Sequence, residues 1–436
     1  MKRTENQTKF DALRKEFPVF TFESQTVKRE NGTLSLAFDF NLDNRYHFRP
    51  TLEIPARPFF DWDNIPVEQL QALAFQIGMT ELVSYWKITC PKRVVVKPFA
   101  LTDSQKAFWK KLYYNGLGEF LYLNSITVSE TDLMQIESVG NEAFAKIELP
   151  LEERTLVPVG GGKDSVVTLE CLRKEMPVIP LIVNPRGATL NCVKTAGYKE
   201  DEFIVINRTL DPTMLKLNAE GYLNGHTPFS ALLAFISILV AFGTRSKYVA
   251  LSNESSANES TVPGTNINHQ YSKSIEFESD FRSYVAENLD DKVQYFSFLR
   301  PLSELQIAKL FSQCEAYHPV FRSCNVGSKT DSWCGHCPKC LFTWIILSPF
   351  LTHEKLTAIF GRDLMADTSL RPIFEELNGT VAVKPFECVG TVEEVRACDE
   401  AVKGNRDAVN KILHRFNEEH FLPKKFEQIL KSHIHV

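Results

Sequence analysis

A run of glycines followed by charged and hydroxyl side chains is the segment of this chain best suited to chemistry. The apolar residues 156–159 lead into Gly160-Gly161-Gly162-Lys163-Asp164-Ser165, after which a helical pattern begins. Glycines allow a tight turn in which successive backbone N–H groups converge on one anion, and the positive end of a following helix adds to the attraction. The segment therefore predicts a phosphate-binding loop between a strand and a helix.

Two common phosphate-binding motifs do not fit this loop. A Walker A loop needs a glycine at Val157 and a hydroxyl residue at Asp164, and a dinucleotide fingerprint needs a small residue at Ser165. The loop resembles instead the pyrophosphate-binding loop of the N-type ATP pyrophosphatases, whose usual form is Ser-Gly-Gly-x-Asp-Ser. Gly160 stands at the position of the first serine. One hydroxyl ligand is thereby lost, and we expect backbone N–H groups to replace it.

Four cysteines at close spacing form the second chemical constellation. Cys324, Cys334, Cys337 and Cys340 follow the pattern Cys-x9-Cys-x2-Cys-x2-Cys, and Gly335 permits a tight turn between them. This spacing is typical of a closed, tetrahedral zinc site, and an iron–sulfur cluster is the alternative. The pattern, placed after a pyrophosphatase-type loop, also resembles 7-cyano-7-deazaguanine synthase, a family in which the four cysteines hold zinc. The sequence thus predicts a small four-cysteine metal knuckle with structural Zn²⁺.

Length and composition are those of an ordinary soluble globular protein. The chain has 436 residues, of which 44% are hydrophobic and 24% charged, and this predicts two or three domains. The net charge of -5 gives no support for nucleic-acid binding. The first residues lead into no signal-peptide core, and the longest apolar run, 231–242, is too short to span a bilayer. We expect a cytoplasmic protein with no membrane partner, in which that run is a helix buried against a sheet.

The pattern of apolar residues predicts an N-terminal α+β domain over residues 1–150. Alternating residues on both sides of Asn31-Gly32 predict a β-hairpin, and helical patterns follow at 67–87 and 104–123. We expect the aromatic residues of this region to fill its core. They are Trp62, Trp86, Trp109, Tyr113 and Tyr114.

Strand and helix patterns alternate over residues 151–345, which predicts an α/β domain with a parallel sheet covered on both faces. Ligands bind such sheets at the carboxyl ends of the strands, where the glycine loop and Ser252-Asn253-Glu254 would lie. Residues 346–436 are predicted to form a helical region packed on this domain. The expected strands are 156–159, 178–183, 203–206 and 248–251, and the expected helices are 165–174, 188–196 and 230–242.

The resemblance of the loop implies a sheet of the adenine nucleotide alpha hydrolase type (PP-loop ATP pyrophosphatase) and cleavage of ATP between its α- and β-phosphates. Such enzymes attach AMP to a carboxylate or carbonyl oxygen and release pyrophosphate. Mg²⁺ would bridge the phosphates beside Asp164, and Ser165 would donate to a phosphate. Lys163 would face either the phosphates or solvent. The segment 252–254 would bind the triphosphate and metal or, equally, cap a helix.

The whole chain resembles the UDP-N-acetylmuramoyl-L-alanyl-L-glutamate epimerases of bacterial cell-wall synthesis. Members of that family use ATP and Mg²⁺ to invert the terminal L-glutamate of UDP-MurNAc-L-Ala-L-Glu to the D form, with release of AMP and pyrophosphate. The resemblance implies the same substrate here, bound by the N-terminal domain. It rests on Gly-Met-Thr-Glu-Leu-Val-Ser-Tyr-Trp-Lys at 78–87, the aromatic helix from Leu101, the glycine loop, residues 252–254, the cysteines and residues 384–391.

Inversion at Cα requires acid/base groups in addition to ATP. Adenylation would cancel the charge of the carboxylate and make the Cα proton far more acidic, each pKa unit being worth about 1.4 kcal/mol. A base would then take that proton, the opposite face would be reprotonated, and water would hydrolyse the adenylate. The candidates are Cys388, Glu387, His269 and His226, and the sequence does not choose among them.

Other classes of protein share the loop. In a synthase or ligase of the deazaguanine type, ammonia attacks the adenylate to give an amide or nitrile, but the N-terminal domain then has no role. A tRNA-thiolating enzyme needs a basic face, which the acidic balance of charge opposes. A non-enzymatic nucleotide-binding module would not need the pair Asp164-Ser165.

Overall fold

The computed structural model describes residues 3–434, and the elements below are numbered in chain order. The strands are β1 (Val19–Glu30), β2 (Thr33–Leu42), β3 (Tyr46–Phe48), β4 (Thr51–Ile54), β5 (Arg93–Val96), β6 (Gln135–Ser138), β7 (Glu152–Pro158), β8 (Val178–Val183), β9 (Ile204–Thr209), β10 (Ser246–Leu251) and β11 (Gln294–Ser297). The helices are α1 (Gln7–Glu16), α2 (Val67–Trp86), α3 (Asp103–Gly116), α4 (Gly118–Leu123), α5 (Glu130–Leu133), α6 (Lys163–Leu172), α7 (Gly187–Thr195), α8 (Pro212–Ala219), α9 (Phe229–Gly243), α10 (Ile275–Asn288), α11 (Glu304–Ser312), α12 (Pro338–Leu347), α13 (His353–Phe360), α14 (Arg371–Leu377), α15 (Val392–Val402), α16 (Asp407–Leu413) and α17 (Lys424–Ile434).

Backbone contacts group these elements into two compact units, each built from several segments of the chain. Unit 1 contains the residues up to Glu152 together with Val205–Lys247 and Glu276–Gln294. Unit 2 contains Glu153–Ile204, Tyr248–Ile275 and the residues from Tyr295 onward. The mixture of helices and sheet is the α/β class expected from the sequence. The division into domains 1–150, 151–345 and 346–436 stays a prediction.

The sheet of unit 1 has the strand order β9-β4-β2-β1-β5-β6, with β3 paired to β2. The predicted hairpin is confirmed, since β1 and β2 are antiparallel and join through Asn31 and Gly32, whose φ values are 51° and 76°. Two left-handed residues in succession give the turn the twist that neighbouring strands need. Strand β5 pairs in parallel with both β1 and β6. Strand β9 is an antiparallel partner of β4.

The core of unit 1 forms around α2, which packs on β1 and on α9. A side chain at Gly78 would lie 2.4 Å from the Phe22 ring, so only glycine lets this helix approach the strand so closely. The apolar run 231–242 forms the buried helix that was predicted, in α9. Trp62, Trp86, Trp109 and Tyr113 are buried as expected. Within residues 3–434, every helix is too short or too polar to cross a membrane.

One predicted helix is two helices in the structure. The helical pattern over 104–123 is interrupted at Leu117, whose φ and ψ of -94° and 5° separate α3 from α4. Gly116 and Gly118 flank this residue, and glycine weakens a helix by about 1 kcal/mol relative to alanine. The side chain missing at Gly116 makes room for Pro228, since an added Cβ would lie 2.8 Å from that ring. The break between α3 and α4 therefore results from the close packing at Gly116 as well as from the low helix propensity of glycine.

The sheet of unit 2 has the strand order β11-β10-β7-β8, and β7 and β8 are parallel, as predicted. The glycine loop follows β7 and leads into α6, while residues 252–254 follow the neighbouring strand β10. Helix α6 packs against α11, and α11 packs against α12. The region after α12 is helical, as predicted, and forms α13 to α17. This framework brings the strand ends, the cysteine knuckle and the 384–391 segment into one unit.

Candidate active site

The glycine loop has the backbone of an anion-binding turn. Gly161 has a φ of 79°, and an added Cβ would lie 2.9 Å from the backbone of Ala188 and Thr189, so glycine is required there. Gly162 is the N-cap residue of α6. The helix therefore begins directly at the loop and directs its unpaired N–H groups toward it. The hydroxyl of Ser165 donates to the Gly162 carbonyl at 3.0 Å.

Lys163 does not face solvent in this structure. Its side chain is 4% exposed, and its ammonium contacts the carboxylates of Asp164 and Glu304. Burial by itself would lower the pKa of Lys163, but the two carboxylates outweigh it and hold the pKa above its usual value. The side chain of Asp164 is 36% exposed, so this carboxylate remains accessible to a ligand at the loop.

Glu254 and Glu304 complete a group of carboxylates around the loop. Burial and the nearby charge of Asp164 raise the pKa of Glu254. Burial, with the charges of Asp164 and Glu254, also raises the pKa of Glu304, in spite of its contact with Lys163. Three cations, Lys163, Lys273 and Arg300, interact with these carboxylates. Carboxylate oxygens are ligands that Mg²⁺ prefers, and Asp164 is the carboxylate accessible to a ligand at the loop.

Residues 252–254 lie as expected at the end of β10, where Glu254 caps a helix. Its carboxylate accepts from the Ala257 N–H at 3.0 Å and caps a short 3-10 helix, Ser255–Asn258. Asn253 donates to the Ser297 hydroxyl at 2.9 Å. The hydroxyl of Ser252 is buried and has no hydrogen-bond partner among residues 3–434. An orphaned hydroxyl at a strand end is available to a ligand.

Cys388 lies in a second, adjacent cluster with Lys273 and His269. The Lys273 ammonium donates to the Cys388 sulfur at 3.1 Å, and His269 is hydrogen-bonded to the same sulfur. Burial would raise the pKa of Cys388, but Lys273, Lys339 and His269 lower it to well below its usual value. The cluster therefore favours a thiolate, the form of cysteine that acts as a base or nucleophile.

Arg300 joins this cluster to the carboxylate group. Its guanidinium is fully buried and donates to the backbone carbonyls of Glu254, at 2.7 Å, and of Lys273. The charge of Lys273 also interacts with both Glu254 and Asp164. The glycine loop and Cys388 therefore belong to one connected set of charges within unit 2.

The remaining acid/base candidates, Glu387 and His226, have other contacts in the structure. Glu387 accepts from Asn325, which follows Cys324 of the cysteine knuckle, at 2.9 Å. His226 belongs to unit 1, where its ring nitrogen is 3.8 Å from the Glu119 carboxylate. Within unit 2, the structure brings Cys388 and His269 together.

The four cysteines converge as their spacing predicts. Their sulfurs form a group that could hold a metal ion, with Cys324–Cys337 and Cys334–Cys340 separations of 3.7 Å and a Cys337–Cys340 separation of 3.4 Å. Tetrahedral zinc with bonds of about 2.3 Å requires sulfurs about 3.8 Å apart. Gly335 has a φ of 72°, which allows the turn of the knuckle. The geometry fits one ion held by four thiolates.

Comparison with known proteins gives the family. A profile described as the MurL N-terminal domain matches residues 11–298, and one described as the MurL C-terminal domain matches residues 320–426. The chain belongs to the MurL family. Relatives from Micromonospora sp., Salinispora tropica and Xanthomonas oryzae pv. oryzae are 36%, 35% and 33% identical, over 86% of this chain and 84%, 82% and 84% of theirs. Each is named UDP-N-acetyl-alpha-D-muramoyl-L-alanyl-L-glutamate epimerase.

The two MurL matches divide the candidate site between them. The N-terminal match includes the glycine loop, Glu254, His269 and Lys273, whereas the C-terminal match includes the four cysteines and Cys388. In this MurL protein, sequence reasoning did not find Lys273, Arg300 or Glu304. Glu304 had one usable signal, because Ser303 and Gln306 form a capping box that marks a helix start after a strand. No sequence signal pointed to Lys273 or Arg300, because the site residues that they contact lie far from them in the sequence.

Proposed function

We propose that this protein is an ATP-dependent epimerase of peptidoglycan precursor synthesis. It would adenylate the terminal glutamate carboxylate of UDP-MurNAc-L-Ala-L-Glu, invert Cα and release AMP and pyrophosphate. The observation that carries this proposal is the connection, within one unit, of the glycine loop at the start of α6 to Cys388, a cysteine whose surroundings favour a thiolate, in a member of the MurL family. The relatives' names supply the substrate. A cytoplasmic location is part of the same proposal.

Unit 2 would carry the ATP chemistry in a sheet of the PP-loop type. Backbone N–H groups of Gly160, Gly161 and Gly162 and the start of α6 would hold the phosphates. The substrate carboxylate attacks the α-phosphorus, the α–β bond breaks, and the electron pair leaves with pyrophosphate. Lys163 would stabilise the charge on the leaving group, and Ser165 would do so by turning its hydroxyl from the Gly162 carbonyl to a phosphate oxygen.

The acidic group fits Mg²⁺. Asp164 is accessible, and burial together with the charges of neighbouring carboxylates raises the pKa of Glu254 and of Glu304, an effect that a bound cation would oppose. Asp164 and Glu254 would hold the ion, with Ser252 and Asn253 at the triphosphate. When bound, Mg²⁺ supplies charge neutralisation for the phosphates. Glu304 would keep the Lys163 ammonium beside the loop.

Cys388 would act as the base once the carboxylate is adenylated. The thiolate takes the Cα proton, and the electron pair of the C–H bond moves onto the activated carboxyl group. A proton from solvent adds at the opposite face to give the D centre, and the Cys388 thiol returns its own proton to solvent. Water then hydrolyses the acyl adenylate to carboxylate and AMP. Lys273 and His269 would keep the sulfur ionised and oriented. Glu387, which contacts Asn325, is the weaker candidate for this role.

The four-cysteine knuckle would hold structural Zn²⁺. A four-iron cluster places its cysteines on separate irons, which requires sulfurs further apart than the 3.4–3.7 Å seen here. Backbone N–H groups add to the fit, since Gly327 donates to the Cys324 sulfur at 3.1 Å. The likeness of this cluster to that of 7-cyano-7-deazaguanine synthase is part of the proposal. The N-terminal domain, over residues 1–150, would bind the UDP-linked dipeptide.

The proposal can be tested by product analysis. The protein is incubated with ATP, Mg²⁺ and UDP-MurNAc-L-Ala-L-Glu, nucleotides are separated by chromatography, and glutamate chirality is determined after hydrolysis. We expect AMP and D-glutamate from the wild type, neither from Asp164→Ala, and both from Asp201→Ala, which removes an exposed carboxylate outside the site. An ammonia-dependent amide product would support the deazaguanine-type synthase instead. Formation of ADP, or of D-glutamate without ATP, would contradict the adenylation step.

A further inference from the structure

Ser323 lies directly against the glycine loop, although nothing in the loop motif includes it. A Cβ added at Gly162 would lie 3.0 Å from the Ser323 hydroxyl oxygen. The preceding residue, Arg322, donates its backbone N–H to the Gly161 carbonyl at 2.8 Å. The following residue, Cys324, belongs to the cysteine knuckle. Ser323 is therefore fixed on both sides, by the loop and by the knuckle.

The Ser323 hydroxyl is free to serve a ligand. The residue is partly buried, and within residues 3–434 its hydroxyl makes no hydrogen bond. The other hydroxyl at the loop, that of Ser165, already donates its proton to the Gly162 carbonyl at 3.0 Å. A phosphate oxygen needs a donor, so Ser323 is the better placed of the two to supply one.

The loop itself has space for a hydroxyl side chain at Gly160 but does not carry one. No atom lies within 4 Å of a Cβ added at Gly160, and its φ is outside the left-handed range. Gly161 differs in both respects, with a φ of 79° and backbone atoms 2.9 Å from an added Cβ. Serine at Gly160 would therefore be tolerated, which makes its absence a testable feature of this chain.

We propose that Ser323 donates a hydrogen bond to the pyrophosphate portion of bound ATP and so supplies the hydroxyl that the loop lacks at Gly160. This inference rests on the proposed function, because it assumes that ATP binds at the loop. A hydrogen bond to a charged phosphate oxygen is stronger than one between neutral groups. The four-cysteine knuckle then has a direct part in ATP binding, because it positions the residue beside Cys324.

The test is a rescue experiment on the full-length protein with Mg·ATP as the probe. Dissociation constants are measured by titration calorimetry for the wild type, Ser323→Ala, Gly160→Ser and the double variant. We expect Ser323→Ala to weaken binding by about 10-fold and the double variant to recover to within about 3-fold of the wild type. Ser332→Ala is the matched control, since this serine belongs to the same segment and its hydroxyl contacts that of Thr330. Bound metal and melting temperature are measured on each variant.

The outcomes separate this inference from the proposed function. If the wild type does not bind Mg·ATP, the proposed function itself fails. If the wild type binds and Ser323→Ala binds equally well, the assignment of Ser323 fails alone. Weak binding by Ser323→Ala that Gly160→Ser does not rescue would also overturn it, because the loss would then be structural. Weak binding that is rescued, with bound metal unchanged, establishes the hydroxyl as the ligand.

Discussion

The Lys273 ammonium donates a hydrogen bond to the Cys388 sulfur over 3.1 Å. The charge of Lys273 holds the pKa of Cys388 well below its usual value against the opposing effect of burial. The same ammonium interacts with Glu254 and Asp164 at the glycine loop. One cation thus serves both the proposed base and the proposed nucleotide site, and its removal should affect the pH at which the base works.

Replacement of Lys273 by methionine should shift the pH dependence of activity. A lowered pKa keeps Cys388 ionised above that pKa, so activity is lost as pH falls through it. Without the ammonium the pKa rises, and the acid limb of the kcat/KM profile for AMP release should move up by about 1–3 pH units. Lys384→Met is the control, because the Lys384 ammonium pairs with Glu259. An unchanged acid limb in Lys273→Met would exclude Cys388 as the group that titrates.

Lys163 and Glu304 form a buried ion pair, and each side chain should stabilise the fold only when the other is present. The two side chains are 4% and 5% exposed, so Lys163→Met leaves a carboxylate in a dry site. Breaking a buried pair typically costs about 3–5 kcal/mol in the free energy of unfolding. The double variant Lys163→Met/Glu304→Leu should recover most of that loss in urea unfolding. Equal stability of Lys163→Met and the wild type would show that the pair is not formed in solution.

The cysteine knuckle should contain one zinc ion per chain. Metal analysis of the purified protein should give zinc without iron or acid-labile sulfide, and Cys334→Ser should lose the metal. Cys314→Ser should retain it, since Cys314 contacts the Leu310 carbonyl and lies outside the cluster. Iron found together with stoichiometric sulfide would contradict this prediction and would show that the four cysteines hold an iron–sulfur cluster.

In unit 1, the Glu81–Arg208 pair should be important for stability. The side chains are 1% and 12% exposed, and the second contact of this forked pair is 2.7 Å long. Glu81→Gln removes the negative charge that faces this buried guanidinium, and we expect a loss of about 3–5 kcal/mol in the free energy of unfolding. Glu137→Gln is the control, because it breaks an exposed pair with Arg93 and should have no measurable effect. Similar losses of unfolding free energy in Glu81→Gln and Glu137→Gln would show that burial does not determine how much an ion pair stabilises this fold.

Local sequence patterns predicted the parts of the fold that local physics determines. Asn31-Gly32 required a tight hairpin, and the cysteine spacing required a knuckle, because both depend on residues within one short segment. The strand, glycine turn and helix start at residues 156–165 were predictable for the same reason.

Contacts between distant segments could not be predicted in this way. Lys163 contacts Glu304, and Lys273 contacts Cys388, although the members of each pair lie more than 100 residues apart in the sequence. The return of residues 205–247 and 276–294 to unit 1 likewise has no local signature. Cys388 could be named as a candidate base from the sequence, but its environment depends on these long-range contacts.

The most direct test of the central claim is exchange of the glutamate Cα hydrogen. The protein is incubated with ATP, Mg²⁺ and UDP-MurNAc-L-Ala-L-Glu in heavy water, and deuterium at Cα is measured by mass spectrometry and NMR. We predict D-glutamate that carries deuterium, formed together with AMP, and no exchange with Cys388→Ala. AMP formation by the wild type with neither deuterium nor inversion at Cα would contradict the account.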